Sequence, residues 1–376
     1  MAGEPESIRT VARGRNGNCA ELRLRPAAES EDFRNFCPVT LRGRLTRDDA
    51  ASIGGTRLAR NASNGFGSLK SRAIGRRFLT LRALAATIAQ VVLCCGLVLL
   101  ALTRAAPAET LFERGAYLVN TVAACGRCHT PRLAEGKPDP AMELAGGFAF
   151  ADPAIGHIVG PNLTPDRETG LGKWSEEQIV TALRYGTRPD GTVIGPPMPV
   201  DTYRGMSDRD LAAIAKYLHT MKPIRHAVGR TQYKNPPEAH DPTITHIDGP
   251  PRQDRLAYGR YLAEPVGHCF GCHTVPRPGG ASLDRGVFYA GGRDLPDYAD
   301  VTRRVVSRNI TSDPEDGIGK WSDAEVKRAI AAGIRPDGTR LAHTIPYDWY
   351  KAIAPADLDA ITAYLRTLRP IKTPGF

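Results

Sequence analysis

Methionine and net charge are both scarce in the larger part of this 376-residue chain. Only five methionines occur, with none between Met1 and Met142 and none after Met221. A thioether ligand for a metal therefore cannot come from the last part of the chain. Residues 109–376 carry 33 basic and 32 acidic side chains, so we do not expect this region to bind nucleic acid. Runs that alternate apolar and polar residues are missing too, which predicts a mainly α-helical fold with long loops.

The first 108 residues, in contrast, carry 17 basic and 8 acidic side chains, nearly all of the net charge of +10. Residues 1–75 show no helical or strand periodicity, so we expect either a disordered leader or sequence upstream of the true translation start. Residues 76–108 combine arginines with an uncharged stretch at 83–103, the pattern of a signal sequence or transmembrane anchor. Ala106 and Ala108 favour cleavage, whereas about 20 apolar residues suffice to span a bilayer. Both alternatives put the chain from Glu109 onward on the periplasmic side, either anchored or soluble.

Two stretches of the remaining chain resemble each other at a separation of about 145 residues. Residues 114–118 match residues 258–262, and the Cys-x-x-Cys-His sequence at 125–129 matches that at 269–273. The Gly-Lys-Trp-Ser sequence beginning at Gly172 recurs at Gly319. We therefore predict two copies of one domain, at 109–225 and 252–376, joined by a Pro-rich linker at 226–251.

Helix signals recur in both copies. Capping boxes predict two helix starts, Ser175 with Gln178 and Ser322 with Glu325. A glycine just after the last residue of a helix commonly ends it, so these helices are predicted to end at Gly186 and Gly333. Apolar residues at helical spacing predict a last helix in each copy, namely Leu211, Ile214, Leu218 and Met221, and Leu358, Ile361, Leu365 and Leu368.

The two Cys-x-x-Cys-His sequences carry the chemical information. Two cysteines three residues apart can bond covalently to the vinyl groups of one haem while the next histidine binds its iron, which is the attachment signal of haem c. A redox dithiol, a disulfide or half of a zinc site could use the same spacing, but the first needs a βαβ context and zinc needs two further ligands. We therefore predict two covalently bound haem c groups, with attachment and iron ligands at Cys125, Cys128, His129, Cys269, Cys272 and His273.

The stretch from Asn162, Asn-Leu-Thr-Pro-Asp through Gly-Lys-Trp-Ser, and its echo from Asn309 extend these motifs. Together they resemble the class I type cytochrome c domains found in tandem in membrane-bound cytochrome subunits of bacterial alcohol, gluconate and aldehyde dehydrogenases. The resemblance covers residues 109–376. It implies that the first and last helices of each domain cross, with two glycines allowing close approach to two tyrosines, Gly115 to Tyr217 and Gly259 to Tyr364. Those subunits commonly carry three haem domains, whereas this chain has two motifs.

The same resemblance implies that a methionine in a Pro-flanked loop is the second axial ligand of the iron. Met198, in Pro-Pro-Met-Pro, fits this role better than Met206, which leads into the last helix. The second copy has Ile345 at the matching position, so His343 becomes its candidate ligand. Two alternatives remain at this site. The iron could be open and five-coordinate, or its ligand could come from elsewhere in the chain, such as His268 or His246. Histidines without a counterpart in the other copy are expected on the surface, namely His157, His219, His226 and His240.

These features predict a periplasmic di-haem c-type cytochrome that carries single electrons from a dehydrogenase to a downstream cytochrome or oxidase. Such a protein holds and tunes its irons, so no catalytic acid, base or nucleophile is expected. Residues 83–103 would attach it to the membrane if they are not cleaved, and no nucleic-acid partner is expected. The alternatives are a di-haem peroxidase-like enzyme and a gas-binding haem protein, both of which require an open iron in the second copy.

Overall fold

The computed structural model describes residues 86–93, 108–277 and 283–375. Residues 86–93 form helix α1, all of whose residues are exposed. In this described part of the chain, no helix is both long and apolar enough to cross a membrane. The predicted leader at 1–75 and most of the predicted signal or anchor at 76–108 lie outside the described residues.

The first copy of the repeat is built mainly from short helices. Its helices are α2 (Leu111–Asn120), α3 (Gly126–His129), α4 (Glu176–Tyr185), α5 (Val200–Tyr203) and α6 (Asp208–Thr220). Between α3 and α4 lie a 3-10 turn and two strands, at Pro140–Met142, β1 (Ala149–Asp152) and β2 (Gly156–Val159).

The second copy has the same order of elements. Its helices are α7 (Arg255–Tyr261), α8 (Cys269–His273), α9 (Asp323–Ala332), α10 (Tyr347–Tyr350) and α11 (Pro355–Arg366). Helix α7 continues as a π-helical turn at Leu262–Val266. A 3-10 turn and two strands again follow the Cys-x-x-Cys-His helix, at Arg285–Val287, β4 (Asp294–Asp297) and β5 (Asp300–Val306).

Short strands, which the sequence did not predict, lie between the helices of both copies. Strands β1 and β2 pair antiparallel, from Ala149 with Val159 to Asp152 with Gly156, and β3 (Gln232–Tyr233) pairs with the other edge of β2. Strands β4 and β5 form a second antiparallel pair. Four-residue strands are too short to show a clear alternation, and the longer β5 is mostly exposed, which is why sequence periodicity missed them.

The helix signals read from the sequence are confirmed. Ser175 and Gln178 form a capping box at the start of α4, and Ser322 and Glu325 form one at the start of α9. Both helices end at a glycine in the left-handed conformation, with φ of 62° at Gly186 and 66° at Gly333. A glycine has no Cβ and adopts this conformation without steric cost. These local signals therefore set both ends of the two helices.

The first and last helices of each copy cross at a glycine, as predicted. A Cβ on Gly115 would lie 1.9 Å from the Ala213 carbonyl oxygen of α6 and 2.8 Å from the Tyr217 Cβ. A Cβ on Gly259 would lie 2.0 Å from the Ala360 carbonyl oxygen of α11. Only glycine permits this backbone approach. The predicted apolar faces of α6 and α11 are buried in one core to which both copies contribute, including Leu211, Ile214, Leu218, Leu358, Ile361 and Leu365.

The predicted linker packs along the first copy. The His226 backbone N–H donates to the Thr169 hydroxyl at 3.0 Å, and the Tyr185 hydroxyl donates to the Ile244 carbonyl at 2.7 Å. The surface prediction is wrong for two histidines. His226 is half-buried against the Ala145 carbonyl, and the His240 side chain, 13% exposed, contacts Asp201. Residues of the first copy cover both rings, whereas His157 and His219 are exposed, as predicted.

Two tyrosines join the copies in a reciprocal way. The hydroxyl of Tyr117 in the first copy donates to Asp357 in the second at 2.7 Å, and the hydroxyl of Tyr261 in the second donates to Asp210 in the first at 2.8 Å. The Asp210 carboxylate also pairs with Arg114 through two hydrogen bonds of 2.8 Å. Because these groups are mainly buried, the bonds are charge-assisted in a region of low dielectric. They fix the orientation of the two copies.

Candidate functional site

The two Cys-x-x-Cys-His sequences form short helices at matching places. Helix α3 follows Ala124, with φ of 46°, and α8 follows His268, with φ of 40°. Neither residue is glycine, so both are held in a conformation that costs free energy and that the surrounding structure must impose. The four motif cysteines are half-buried, namely Cys125, Cys128, Cys269 and Cys272.

The motif histidines are oriented in the same manner. His129 Nδ1 lies 2.9 Å from the Pro161 carbonyl oxygen, and His273 Nδ1 lies 2.6 Å from the Arg308 carbonyl oxygen. A carbonyl only accepts hydrogen bonds, so Nδ1 carries the proton in both rings. Burial lowers the pKa of both histidines, which favours the neutral form. In that tautomer Nε2 has a free lone pair, as a metal ligand requires.

A cavity of about 910 Å³ lies beside the second motif. Its wall includes Cys269, Cys272 and His273 of the motif together with His343 and Ile345 of the loop before α10. Pockets for cofactors commonly have volumes of about 300–1,000 Å³. The donor groups, the histidine tautomer and the cavity size fit a covalently attached haem at the second motif, which Cys269, Cys272 and His273 would hold.

The predicted sixth ligands lie in the loops before α5 and α10. Met198 is half-buried and packs against the core, whereas Met206 is fully buried within it. Met206 therefore packs in the core, as its position before the last helix predicted. The His343 side chain is 37% exposed, with its Nδ1 3.8 Å from the Asp348 carboxylate. Its ring centroid lies 5.0 Å from that of Tyr347.

Sequence reasoning missed the arginine inside the first motif. Arg127 is only 8% exposed and belongs to the wall of the cavity beside the second motif. Its guanidinium carbon lies 4.2 Å from the centroid of the Tyr298 ring, which packs on Phe148 of the first copy. No local signal could have found this contact, because it joins residues far apart in the chain through the packing of the two copies.

Comparisons with known proteins agree with this geometry. The cytochrome c family model matches residues 112–222. The chain is 32% identical over 275 residues to the fructose dehydrogenase cytochrome subunit of Gluconobacter japonicus, which is 68% of this chain and 52% of that protein. It is 30% identical over 284 residues to the gluconate 2-dehydrogenase cytochrome c subunit of Pantoea cypripedii, 69% of this chain and 60% of that protein. A diheme cytochrome c-type protein of Cereibacter sphaeroides is 29% identical over 264 residues, 66% of this chain and 83% of that protein.

Residues 112–222 therefore form a cytochrome c domain, whose family cofactor is covalently bound haem c. The chain as a whole is similar to cytochrome c subunits of fructose, gluconate and alcohol dehydrogenases and to a diheme cytochrome c, in agreement with the resemblance read from its motifs. It spans about half to three fifths of the length of the dehydrogenase subunits it matches.

Proposed function

We propose that the chain is a di-haem c-type cytochrome in which residues 109–225 and 252–376 are two cytochrome c domains. The observation that carries the proposal is the matched pair of motif histidines. The Nδ1 of each lies within hydrogen-bond distance of a backbone carbonyl oxygen, that of Pro161 or Arg308, just after the strand pair that follows its motif. The same donor set occurs twice at equivalent places in the repeat. One similar protein is itself named a diheme cytochrome c-type protein, which supports the count of two.

Each motif would hold its haem by two thioether bonds, with the histidine Nε2 as the first axial ligand. The bound iron supplies a one-electron couple. The backbone carbonyls of Pro161 and Arg308 hold the two imidazole rings in place. A fixed ligand set changes little between oxidation states, which suits an electron carrier.

The two sites differ in the second axial ligand. We propose Met198 for the first haem, because it lies half-buried in the Pro-rich loop while Met206 is committed to the core. We propose His343 for the second haem, because it belongs to the cavity wall two residues from Ile345. Ligation by two imidazoles would hold this haem at a lower reduction potential than the first. A reduced spectrum of the holoprotein that is unchanged in His343→Ala would exclude His343 as the ligand.

The proposed role is transfer of single electrons from a dehydrogenase to a downstream cytochrome or oxidase on the periplasmic side of the membrane. The names of the similar proteins, cytochrome subunits of fructose, gluconate and alcohol dehydrogenases, support a dehydrogenase as the donor. The near balance of 33 basic and 32 acidic side chains in residues 109–376 does not favour a nucleic-acid partner. The uncharged segment at 83–103 supports export, with or without a retained anchor.

The test begins with a redox titration of the holoprotein. The holoprotein is then mixed with dehydrogenase-containing membranes from the organism that naturally produces it. Two reversible one-electron steps and rapid haem reduction on addition of the dehydrogenase's substrate are expected. A holoprotein that stays oxidised while those membranes reduce a different acceptor would contradict the proposed role. A Cys125→Ala, Cys128→Ala variant loses the attachment site of the first haem, so its titration should lack the step of that haem and keep the step of the second.

A second candidate is a peroxidase-like enzyme with an open iron in the second domain, and one observation favours it. Ile345, a side chain without a donor atom, forms part of the cavity wall at the position that matches Met198. If His343 also stays off the iron, a small ligand can bind there. Peroxide turnover and carbon monoxide binding by the fully loaded protein would support this alternative, whereas a six-coordinate resting state that binds neither would exclude it.

A further inference from the structure

Arg127 occupies an unusual position between the two motifs. It stands between Cys125 and Cys128 in sequence, yet its side chain contributes to the wall of the cavity that contains Cys272 and His273. Only 8% of it is exposed, and its guanidinium carbon stacks 4.2 Å from the Tyr298 ring centroid. The first motif therefore contributes a buried cation to the site of the second.

This cation lacks a carboxylate partner. Its Nε has no hydrogen-bond partner, and the ion pairs within residues 108–277 and 283–375 do not include it. Arg132 lies beside it and donates to the Arg127 carbonyl at 2.6 Å, with its own Nε and Nη1 unpartnered. An unpaired buried charge is unfavourable unless other groups compensate. Stacking on Tyr298 compensates in part, and the charge lies at the wall of the cavity.

The arrangement is one-sided although the fold repeats. Gly271 matches Arg127 in the second motif, and it has no side chain to extend into the first site. The second site thus receives a cation from the first motif, whereas the second motif has Gly271 at that position and supplies no such cation. An asymmetry of charge in a symmetric scaffold gives the two sites different electrostatic environments.

We infer that Arg127 sets the reduction potential of the haem held by Cys269 and Cys272, an inference that rests on the proposed function. Reduction adds one negative charge to the iron centre, and a fixed cation in a region of low dielectric stabilises the reduced form more than the oxidised form. Arg127 therefore raises this potential. It offsets the lowering expected where the second site lacks a methionine, and so keeps the two haems close enough in potential to exchange electrons.

The test compares Arg127→Gln, Arg127→Lys and the control Arg285→Gln, which removes an exposed arginine outside the cavity wall. All are prepared as holoproteins and their covalent haem is counted first. Redox titrations are then followed by electron paramagnetic resonance, which separates ferric irons by their axial ligands. Arg132→Gln provides a second variant that removes the neighbouring cation and leaves Arg127 in place.

Arg127→Gln should shift the potential of the second haem downward, Arg132→Gln should shift it less in the same direction, and Arg127→Lys should stay near the parent. Arg285→Gln should leave it unchanged. Two bound haems with an unshifted potential of the second haem in Arg127→Gln would overturn the inference while leaving the proposed function intact. A parent protein without covalent haem would instead overturn the proposed function itself, and the inference with it.

Discussion

Tyr117 and Asp357, 240 residues apart in the chain, are joined by a hydrogen bond of 2.7 Å. The equivalent pair, Tyr261 and Asp210, is joined at 2.8 Å in the opposite direction between the copies. The same aromatic position in each copy thus donates to the same acidic position in the other. This exchange joins two copies whose buried residues form one core.

Removal of either hydroxyl should weaken this junction. Tyr117→Phe and Tyr261→Phe each lose a bond to a carboxylate, so each should lower the free energy of unfolding by about 1.5–3 kcal/mol. The measurement is denaturant unfolding of the holoprotein. Tyr185→Phe is the matched control, because its hydroxyl donates to the uncharged Ile244 carbonyl and should contribute only about 1 kcal/mol. Losses in both junction variants no larger than that of the control would contradict this account.

The crossing glycines should tolerate no side chain. In Gly115→Ala and Gly259→Ala the new Cβ would lie about 2 Å from a backbone carbonyl oxygen, so the helices must separate. We expect such overpacking to lower the free energy of unfolding by about 1–3 kcal/mol, which is measured as a lower melting temperature. Gly271→Ala is the control, since nothing lies within 4 Å of its Cβ position. Equal melting temperatures for Gly115→Ala and Gly271→Ala would contradict the predicted close approach.

Met198 should be distinguishable from Met206 by spectroscopy. Met198→Leu is expected to abolish the long-wavelength absorption band of methionine-ligated ferric haem and to lower the potential of the first haem, because the thioether is lost. Met206→Leu should keep both, since that side chain is fully buried in the core and the swap conserves volume. Retention of the band in Met198→Leu and its loss in Met206→Leu would reverse the assignment.

Stability should depend on pH through His246. A hydrogen bond of 2.5 Å to Asp208 raises the pKa of His246 above its ordinary value of 6.5, with Asp208 and Asp248 as its neighbouring carboxylates. The stabilisation is therefore complete below about pH 6.5 and is lost as pH rises through the raised pKa. The difference in unfolding free energy between the parent and His246→Gln should shrink toward alkaline pH. A constant difference, or the same trend in the exposed control His157→Gln, would contradict this prediction.

The sequence predicted those features that depend on local chemistry or on the repeat. The capping boxes at Ser175 and Ser322, the terminal glycines and the helix crossing at Gly115 all follow from rules that act over a few residues or from the resemblance to cytochrome c domains. Cys-x-x-Cys-His is likewise a local signal, so both candidate sites were visible before the structure.

Features that depend on how the two copies pack could not be predicted. Arg127 contacts Tyr298, and Tyr117 contacts Asp357, because of the relative orientation of the two copies. Sequence periodicity carries no information about that orientation. The burial of His240 was missed for a related reason. Its segment reads as a Pro-rich linker, and the bonds that dock it, to Asp201 and the Ile194 carbonyl, come from residues about 40 positions earlier.

The central claim, two covalent haem sites in one chain, is tested most directly by intact mass under denaturing conditions. The protein is produced in a host that matures c-type cytochromes, and its mass is compared with that of a Cys269→Ala, Cys272→Ala variant. The account predicts a parent mass increased by two haems and a variant mass increased by one. A parent that carries one haem or none would contradict it.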